Sequence, residues 1–245
     1  MKTVKCSFKN ITEEEKNKFK NSSCLLTISV GQQTHENERF AATIDLINYS
    51  FKSCIIQIDD TLQRHTMALN HNEDPDYFYD VSKAEGKLWL ERNEKYINRL
   101  KIPMKLYRWD EWLFRDNFDT QKNRLLNKLN EDLEYQKAFE VSIDNFISKC
   151  LQRNSRLMEF EIKRLKKLSF DFVLEECTAL TLWPELICQY EAYPNGHNSA
   201  IEATKKLFIY PFYHDILRSI TIIFKNAGQL TPQKFYLLDE TIAEK

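Results

Sequence analysis

Two short apolar runs joined by one amphipathic segment limit what this chain can fold into more than any other feature. Cys24-Leu25-Leu26-Thr27-Ile28-Ser29-Val30 is nearly all apolar, as is Ser53-Cys54-Ile55-Ile56-Gln57-Ile58, which runs into Asp59-Asp60. Runs of this kind are expected of parallel strands buried on both faces. Between them, from Glu38 to Phe51, the apolar residues Phe40, Ile44, Ile47 and Phe51 keep three- and four-residue spacing, which predicts a helix. Strand, helix and strand within about thirty residues make one βαβ unit. A right-handed crossover puts the carboxyl ends of both strands on one edge of the sheet, where open α/β folds hold their ligands. Ser29 and Asp59-Asp60 therefore share that edge.

Further strands are expected at Lys105-Leu106-Tyr107-Arg108, after Pro103, and from Leu186 to Tyr193, while Leu207-Phe208-Ile209-Tyr210 fits either a strand or a helix. The sheet should have about five strands. From Thr120 to Trp183 the spacing of Leu125, Leu129, Leu133, Phe139, Ile143, Phe146, Ile147 and Cys150 is helical, with no Gly or Pro before Pro184. That pattern predicts two or more long helices packed on the same domain. With 245 residues, 42% hydrophobic and only ten Gly or Pro, the expectation is one α/β domain with no long linker.

The 35 basic and 36 acidic residues nearly cancel, so no strong overall field favours nucleic acid and any contact with it must come from a local patch. Cys6, Cys24, Cys54, Cys150, Cys177 and Cys188 form no paired short spacings and are read as reduced and mostly buried. The charged N-terminus lacks the apolar stretch of a signal peptide, and no run is long enough to span a bilayer. A cytoplasmic protein that does not engage membranes is expected.

Several chemistries are disfavoured. There is no G-x-S-x-G elbow, and His35, His65, His71, His197 and His214 show no spacing that selects a base for Ser29. Histidines and cysteines do not cluster as metal ligands. Neither a G-x-G-x-x-G nor a Walker loop is present. No cofactor and no metal are expected. On local grounds Ser29, followed by Gly31, is a strand-end serine before a turn.

A set of segments in order adds to this reading: Ser29-Val30-Gly31-Gln32-Gln33-Thr34-His35-Glu36, Asp60-Thr61-Leu62-Gln63-Arg64-His65, Gly86-Lys87-Leu88-Trp89-Leu90, Arg108-Trp109-Asp110-Glu111-Trp112, Glu175-Glu176-Cys177 and Tyr193-Pro194. In sequence and spacing they resemble the tRNA-dependent cyclodipeptide synthases over residues 22 to 225, with N- and C-terminal extensions completing a single catalytic domain of 1–245. The resemblance implies a Rossmann-like parallel sheet flanked by helices, similar to the catalytic domain of class I aminoacyl-tRNA synthetases. It also implies the use of two aminoacyl-tRNAs per turnover by a monomer. Ser29 matches the family nucleophile, which takes the first aminoacyl group. A second aminoacyl-tRNA then supplies its amine, and a dipeptidyl-enzyme cyclises to a diketopiperazine.

The carboxylate that holds the substrate ammonium matches Glu176, with Glu175 as the alternative; from the residues alone both fit a solvated helix face. The Tyr that the family carries four residues earlier is Phe172 here if Glu176 is the match, or Asp171 if Glu175 is. The late tyrosine that relays a proton matches Tyr193, with Tyr210-Pro211 competing. Gln32 and Tyr193-Pro194 fit the subfamily with Tyr-Pro rather than Tyr-His. Leu25 and Thr27 share the Ser29 face by the strand period of two and would line the first aminoacyl pocket, beside Gly31, Gln32 and His65.

Basic residues gather as Lys87, Arg92, Lys95 and Arg99 along one candidate helix, and as Arg153, Arg156, Lys163, Arg164, Lys166 and Lys167 along another. They are candidates for tRNA phosphate contact, although acidic neighbours such as Glu91 and Glu161 also fit plain solvated faces. Two other functions fit parts of the pattern. One is a tRNA-binding protein with this fold and no activity, the other a serine acyltransferase with a different acyl donor.

Overall fold

A computed structural model describes residues 4–69, 71, 73–153, 159–194, 196–225 and 234–238. Asn195 and Arg156 lie outside the described residues, as do the side chains of Cys150 and Arg153. In chain order the elements are β1 (Lys5–Phe8), α1 (Glu13–Phe19), β2 (Ser23–Ser29), α2 (Asn37–Ser50), β3 (Ser53–Asp59), α3 (Arg64–Ala68), α4 (Tyr79–Ile97), β4 (Met104–Arg108), α5 (Asp110–Leu113), α6 (Phe118–Glu131), α7 (Leu133–Arg153), α8 (Glu159–Leu182), β5 (Tyr190–Pro194), α9 (Ser199–Thr204) and β6 (Arg218–Lys225).

Among the described residues six strands form one sheet in the order β1-β6-β5-β2-β3-β4. Five run parallel, and β1 pairs antiparallel with β6 at the edge. The β2–β3 register sets Ser29 opposite Asp59, as the βαβ reading required. From β2 the chain moves outward through β3 and β4, then returns to the other side of β2 as β5 and β6. The reversal lies between β2 and β5, and such a switch point opens a crevice at the carboxyl ends of the strands.

Side chains alternate across the sheet and build two cores. Leu26 and Ile28 pack with Phe40, Ile44 and Ile47 of α2 and with Trp89 of α4. Leu25 packs on the opposite face with Trp109, Trp112, Leu125, Leu174 and Ile201, drawn from the helices around α8. Two of the indole N–H groups have buried acceptors: Trp112 donates to Gln57 at 2.9 Å and Trp109 to Glu175 at 2.8 Å. The Arg108–Trp112 segment thus anchors the chain after β4, with Arg108 paired to Asp60. Gly86 of α4 sits directly over Asp60, where a Cβ would come 2.8 Å from the Asp60 Cγ.

Three expectations need correction. Among the described residues the sheet has six strands, not about five: the edge strand β1 is four partly buried residues with little apolar pattern, and β6, which lies between β1 and β5, is the apolar run Ile220-Thr221-Ile222-Ile223-Phe224 that the sequence reading passed over. The strand expected from Leu186 starts only at Tyr190, since Trp183–Leu186 is a 3-10 turn closed by Ile187 at φ 55°. Leu207–Tyr210 is neither strand nor ordinary helix, because Lys205–Ile209 forms a π-helical turn. The stretch expected to form two or more long helices forms α6, α7 and α8, in keeping with that reading; Asp132 divides the first two by accepting hydrogen bonds from the Glu134 and Tyr135 N–H groups, as a helix N-cap does.

Candidate active site

At the switch point lies a cavity of about 710 Å³, the size expected of a small-molecule site. Thr27 and Ser29 of β2, Asp59 of β3, Glu191 and Tyr193 of β5, and Phe172 and Glu176 of α8 all reach it. β2 ends at Ser29, and the chain turns at once: Ser29 C=O accepts from the Gln32 N–H at 3.2 Å. Gly31 makes the turn possible with φ 84°, a conformation that favours glycine. Gln32 then lines the cavity rim.

The hydroxyls of Ser29 and Tyr193 lie 3.1 Å apart. Burial raises the Tyr193 phenol above its ordinary value, so it faces Ser29 as a neutral O–H. His35 also touches Ser29, but through the backbone: Ser29 N–H donates to His35 Nδ1 at 2.9 Å. Burial pushes the His35 imidazole down to about 4, so it stays neutral and accepts that bond. Its ring leans on Tyr193 with centroids 5.5 Å apart. The histidine nearest the serine therefore fixes backbone and ring positions and does not meet the hydroxyl.

Three carboxyl groups face this space. Burial, then the nearby Glu191 charge, pushes Glu176 up to about 7, against a weak 3.5 Å bond from the Asn198 amide. Burial raises Asp59 well above the ordinary carboxylate range, opposed by the Gln57 amide donating at 2.8 Å. Glu191 is ion-paired with the fully buried Lys205. Among the described residues no Lys or Arg side chain lines the cavity, so its field favours a cationic guest.

Adjacent residues on α8 have opposite surroundings. Glu175 turns away from Ser29 into a buried cluster, accepting from Arg64 Nη1 at 2.7 Å, Arg64 Nη2 at 2.5 Å and Trp109, with His65 Nε2 at 3.1 Å. Burial alone would raise its carboxyl, but the bonds from His65 and Arg64 and the Arg64 charge hold it at about 2. Glu176, one residue on, faces the Ser29 cavity. Tyr210 packs against the core beside α8 and does not line the cavity, whereas Tyr193 does.

Of the other expected pocket residues, Thr27, His65 and Phe172 line the cavity. His65 meets Phe172 edge-on at 6.3 Å. Leu25 does not line it: fully buried in the core, it lies one strand repeat below Thr27, and that expectation is corrected. The candidate tRNA cations also stand apart from the cavity. Arg92 is paired with Glu36 at 3.1 Å and lies over the Tyr236 ring, and Arg99 is paired with Asp45. Both fasten the α4 region to the α2 side of the sheet. Lys87 and Lys167 make long, exposed pairs at 4.0 Å with Glu91 and Asp171. Lys95 lies over Tyr96, Arg164 donates to Glu73 C=O at 2.7 Å, and Lys163 and Lys166 are exposed.

Glu191, His197, Asn198 and the cavity-facing role of Asp59 were missed by sequence reasoning. One signal was available: in the strand that holds Tyr193, a residue two earlier shares its face, and that residue is the charged Glu191.

No family model matches the sequence, and no curated protein matches it. Among solved structures, the chain is similar to a cyclodipeptide synthase (CDPS) from Fluoribacter dumoffii, with 37% identity and a TM-score of 0.85 over 91% of this chain and 98% of that one. It shares the fold of the cyclodipeptide synthase from Candidatus Glomeribacter gigasporarum bound to Phe-tRNAPhe, at 16% identity and a TM-score of 0.65, over 89% and 92% of the two chains. It also shares the fold of a Mycobacterium tuberculosis protein whose structure relates cyclodipeptide synthetases to type I tRNA synthetases, at 10% identity and a TM-score of 0.59, over 91% and 93%. Among the described residues no group of three His, Cys, Asp or Glu side chains could hold a metal ion, and no helix is long and apolar enough to cross a membrane.

Proposed function

The chain belongs to the cyclodipeptide synthases, and we propose that it joins the aminoacyl groups of two aminoacyl-tRNAs into a diketopiperazine through ester intermediates on Ser29. The observation that carries this reading is the Ser29–Tyr193 hydroxyl pair, 3.1 Å apart, opening on a cavity that also holds Glu176. Such a site suits a substrate that brings its own activated ester and a positive ammonium.

In the first step Ser29 Oγ bonds to the ester carbonyl, the bond to the tRNA ribose oxygen breaks, and the hydroxyl proton passes through Tyr193 to that oxygen. Glu176 holds the ammonium of the bound aminoacyl group and, with a carboxyl near 7, is matched to taking its proton near neutral pH. Atom balance corrects one expectation. If the amine of the second aminoacyl-tRNA attacked the Ser29 ester, the dipeptide would leave on tRNA. For a dipeptidyl-enzyme to form, the amine already on the enzyme must attack the second ester and release the second tRNA. The new terminal amine then attacks the Ser29 ester carbonyl, closing the ring and returning the proton to Ser29 Oγ. Aminolysis of esters is downhill, so orientation and proton placement are the main demands on the protein.

Gln32 and Tyr193-Pro194 support membership of the subfamily with Tyr-Pro at the late tyrosine. Phe172 keeps the packing of the usual tyrosine against His65 without its hydroxyl. Lys87, Lys95, Lys163, Lys166 and Lys167 are the exposed candidates for tRNA phosphates, whereas Arg92, Arg99 and Arg164 already have protein partners. The whole chain acts as one catalytic domain and as a monomer. Expression in a bacterial host with mass spectrometry of the medium tests this reading. Wild type should release a diketopiperazine that Ser29→Ala does not; no product, or equal product from both, would count against it.

A further inference from the structure

The floor of the Ser29 cavity is polar and charged, an unusual way to end a pocket that could have been closed by leucines. Glu191 is 1% exposed and Lys205 is 0% exposed. The Lys205 ammonium holds one oxygen of Glu191 and donates to Ser219 Oγ at 2.6 Å. Lys205 opens the π-helical turn Lys205–Ile209, an irregularity common at functional sites. The second oxygen of Glu191 faces His197 Nε2 at 3.4 Å without a well-formed hydrogen bond, and that nitrogen has no partner although it is buried. A lone pair aimed at a carboxylate would be repelled, which favours the tautomer with the proton on Nε2. The pocket therefore ends in one underused acceptor beside one orphaned donor, and both side chains line the cavity. Glu191 lies two strand residues below Tyr193, roughly 7 Å deeper than the row that meets Ser29. That depth suits the tip of a side chain, not the reacting ester.

Resting on the reading of the cavity as the aminoacyl site, we infer that Glu191 and His197 select an amino acid whose side chain ends in a carboxamide, its NH2 donating to Glu191 and its C=O accepting from His197. The competing side chains fit less well. An aliphatic tip leaves both groups unpaired, and sites built to hydrogen-bond a substrate can reject analogues that lack the bond by ~10⁴. A carboxylate tip meets Glu191 and Glu176 with like charge. A cationic tip competes with Lys205 for Glu191 and would leave the lysine buried without its counter-ion. Serine and threonine hydroxyls sit too near the backbone to reach the floor.

The test supplies wild-type protein with a full set of charged tRNAs and resolves the cyclodipeptides by mass spectrometry, alongside Glu191→Leu combined with Lys205→Met. Removing both members of a buried ion pair avoids leaving one charge stranded. The main wild-type product should contain asparagine or glutamine, and the double variant should lower the ratio of carboxamide to aliphatic products at least tenfold. A wild-type profile dominated by aliphatic, aromatic or charged residues overturns the inference, as does an unchanged ratio in the variant. If the variant does not fold, the wild-type profile decides alone. The absence of any cyclodipeptide from wild type instead overturns the synthase reading itself, an outcome distinct from a profile of the wrong composition.

Discussion

Replacing Glu176 by glutamine tests the electrostatics of the cavity in a quantity that does not depend on substrate. Burial and the Glu191 charge raise the Glu176 carboxyl from 4.5 to about 7. The sign is fixed by linkage: a carboxyl raised in the fold adds no cost below pH 4.5, where it is protonated in both states. Stability then falls as pH rises toward 7, where the fold must hold the charge. At ~1.36 kcal/mol per pH unit the full cost is roughly 3 kcal/mol, and about 2.5 kcal/mol of it develops between pH 5 and pH 8. Glutamine keeps the shape and cannot ionise. Urea unfolding of both proteins at pH 5, 6, 7 and 8 should therefore show the variant gaining on wild type by roughly 2.5 kcal/mol across that range, while diketopiperazine formation is lost at every pH. Curves that stay parallel from pH 5 to pH 8 would show that Glu176 is solvated in the free protein and refute the argument. Asp59 is raised mainly by burial, which both proteins share, and the part of its shift that comes from the Glu176 charge leaves with that charge in the same direction.

Three further outcomes are expected. Tyr193→Phe removes the hydroxyl 3.1 Å from Ser29 and should slow product formation by about 10² or more, as loss of a proton-transfer group does; an unchanged rate in single-turnover assays would contradict the relay. Glu175→Gln strips the buried charge from Arg64 and should cost ~3–5 kcal/mol in unfolding free energy. Because the Glu175 carboxyl is held at about 2, its wild-type contribution is complete above pH 4.5 and disappears as pH falls toward 2; a loss under 1 kcal/mol at pH 7 would contradict its structural role. Gly86→Ala forces a Cβ onto Asp60 and should destabilise by about 1–3 kcal/mol, so an unaltered thermal midpoint would show that α4 can shift to accommodate it.

The pairing of Ser29 with Asp59 was legible because it depends on local rules, namely continuous apolar strands, one helical crossover and a fixed handedness. The choice between Glu175 and Glu176 was not. Neighbours on a helix point about 100° apart, and only the positions of Arg64, His65 and Trp109, far away in sequence, show which of the two is tied down. Basic residues on α4 and just past its end could be counted in the sequence, but the partners of Arg92 and Arg99 sit on or beside α2, more than fifty residues earlier. The Glu191–Lys205 pair joins a strand to a π-helical turn, a backbone form for which composition offers no signal. β1 escaped notice because four residues, only partly buried, carry too little apolar pattern to stand out from a loop.

The central claim is that Ser29 carries the acyl group, and intact-protein mass spectrometry after rapid quenching tests it most directly. Mixed with a single charged tRNA, wild type should gain the mass of one aminoacyl group on the peptide containing Ser29, and Ser29→Ala should gain none. An adduct that persists in Ser29→Ala, or wild type that turns over without ever carrying one on that peptide, would contradict the account.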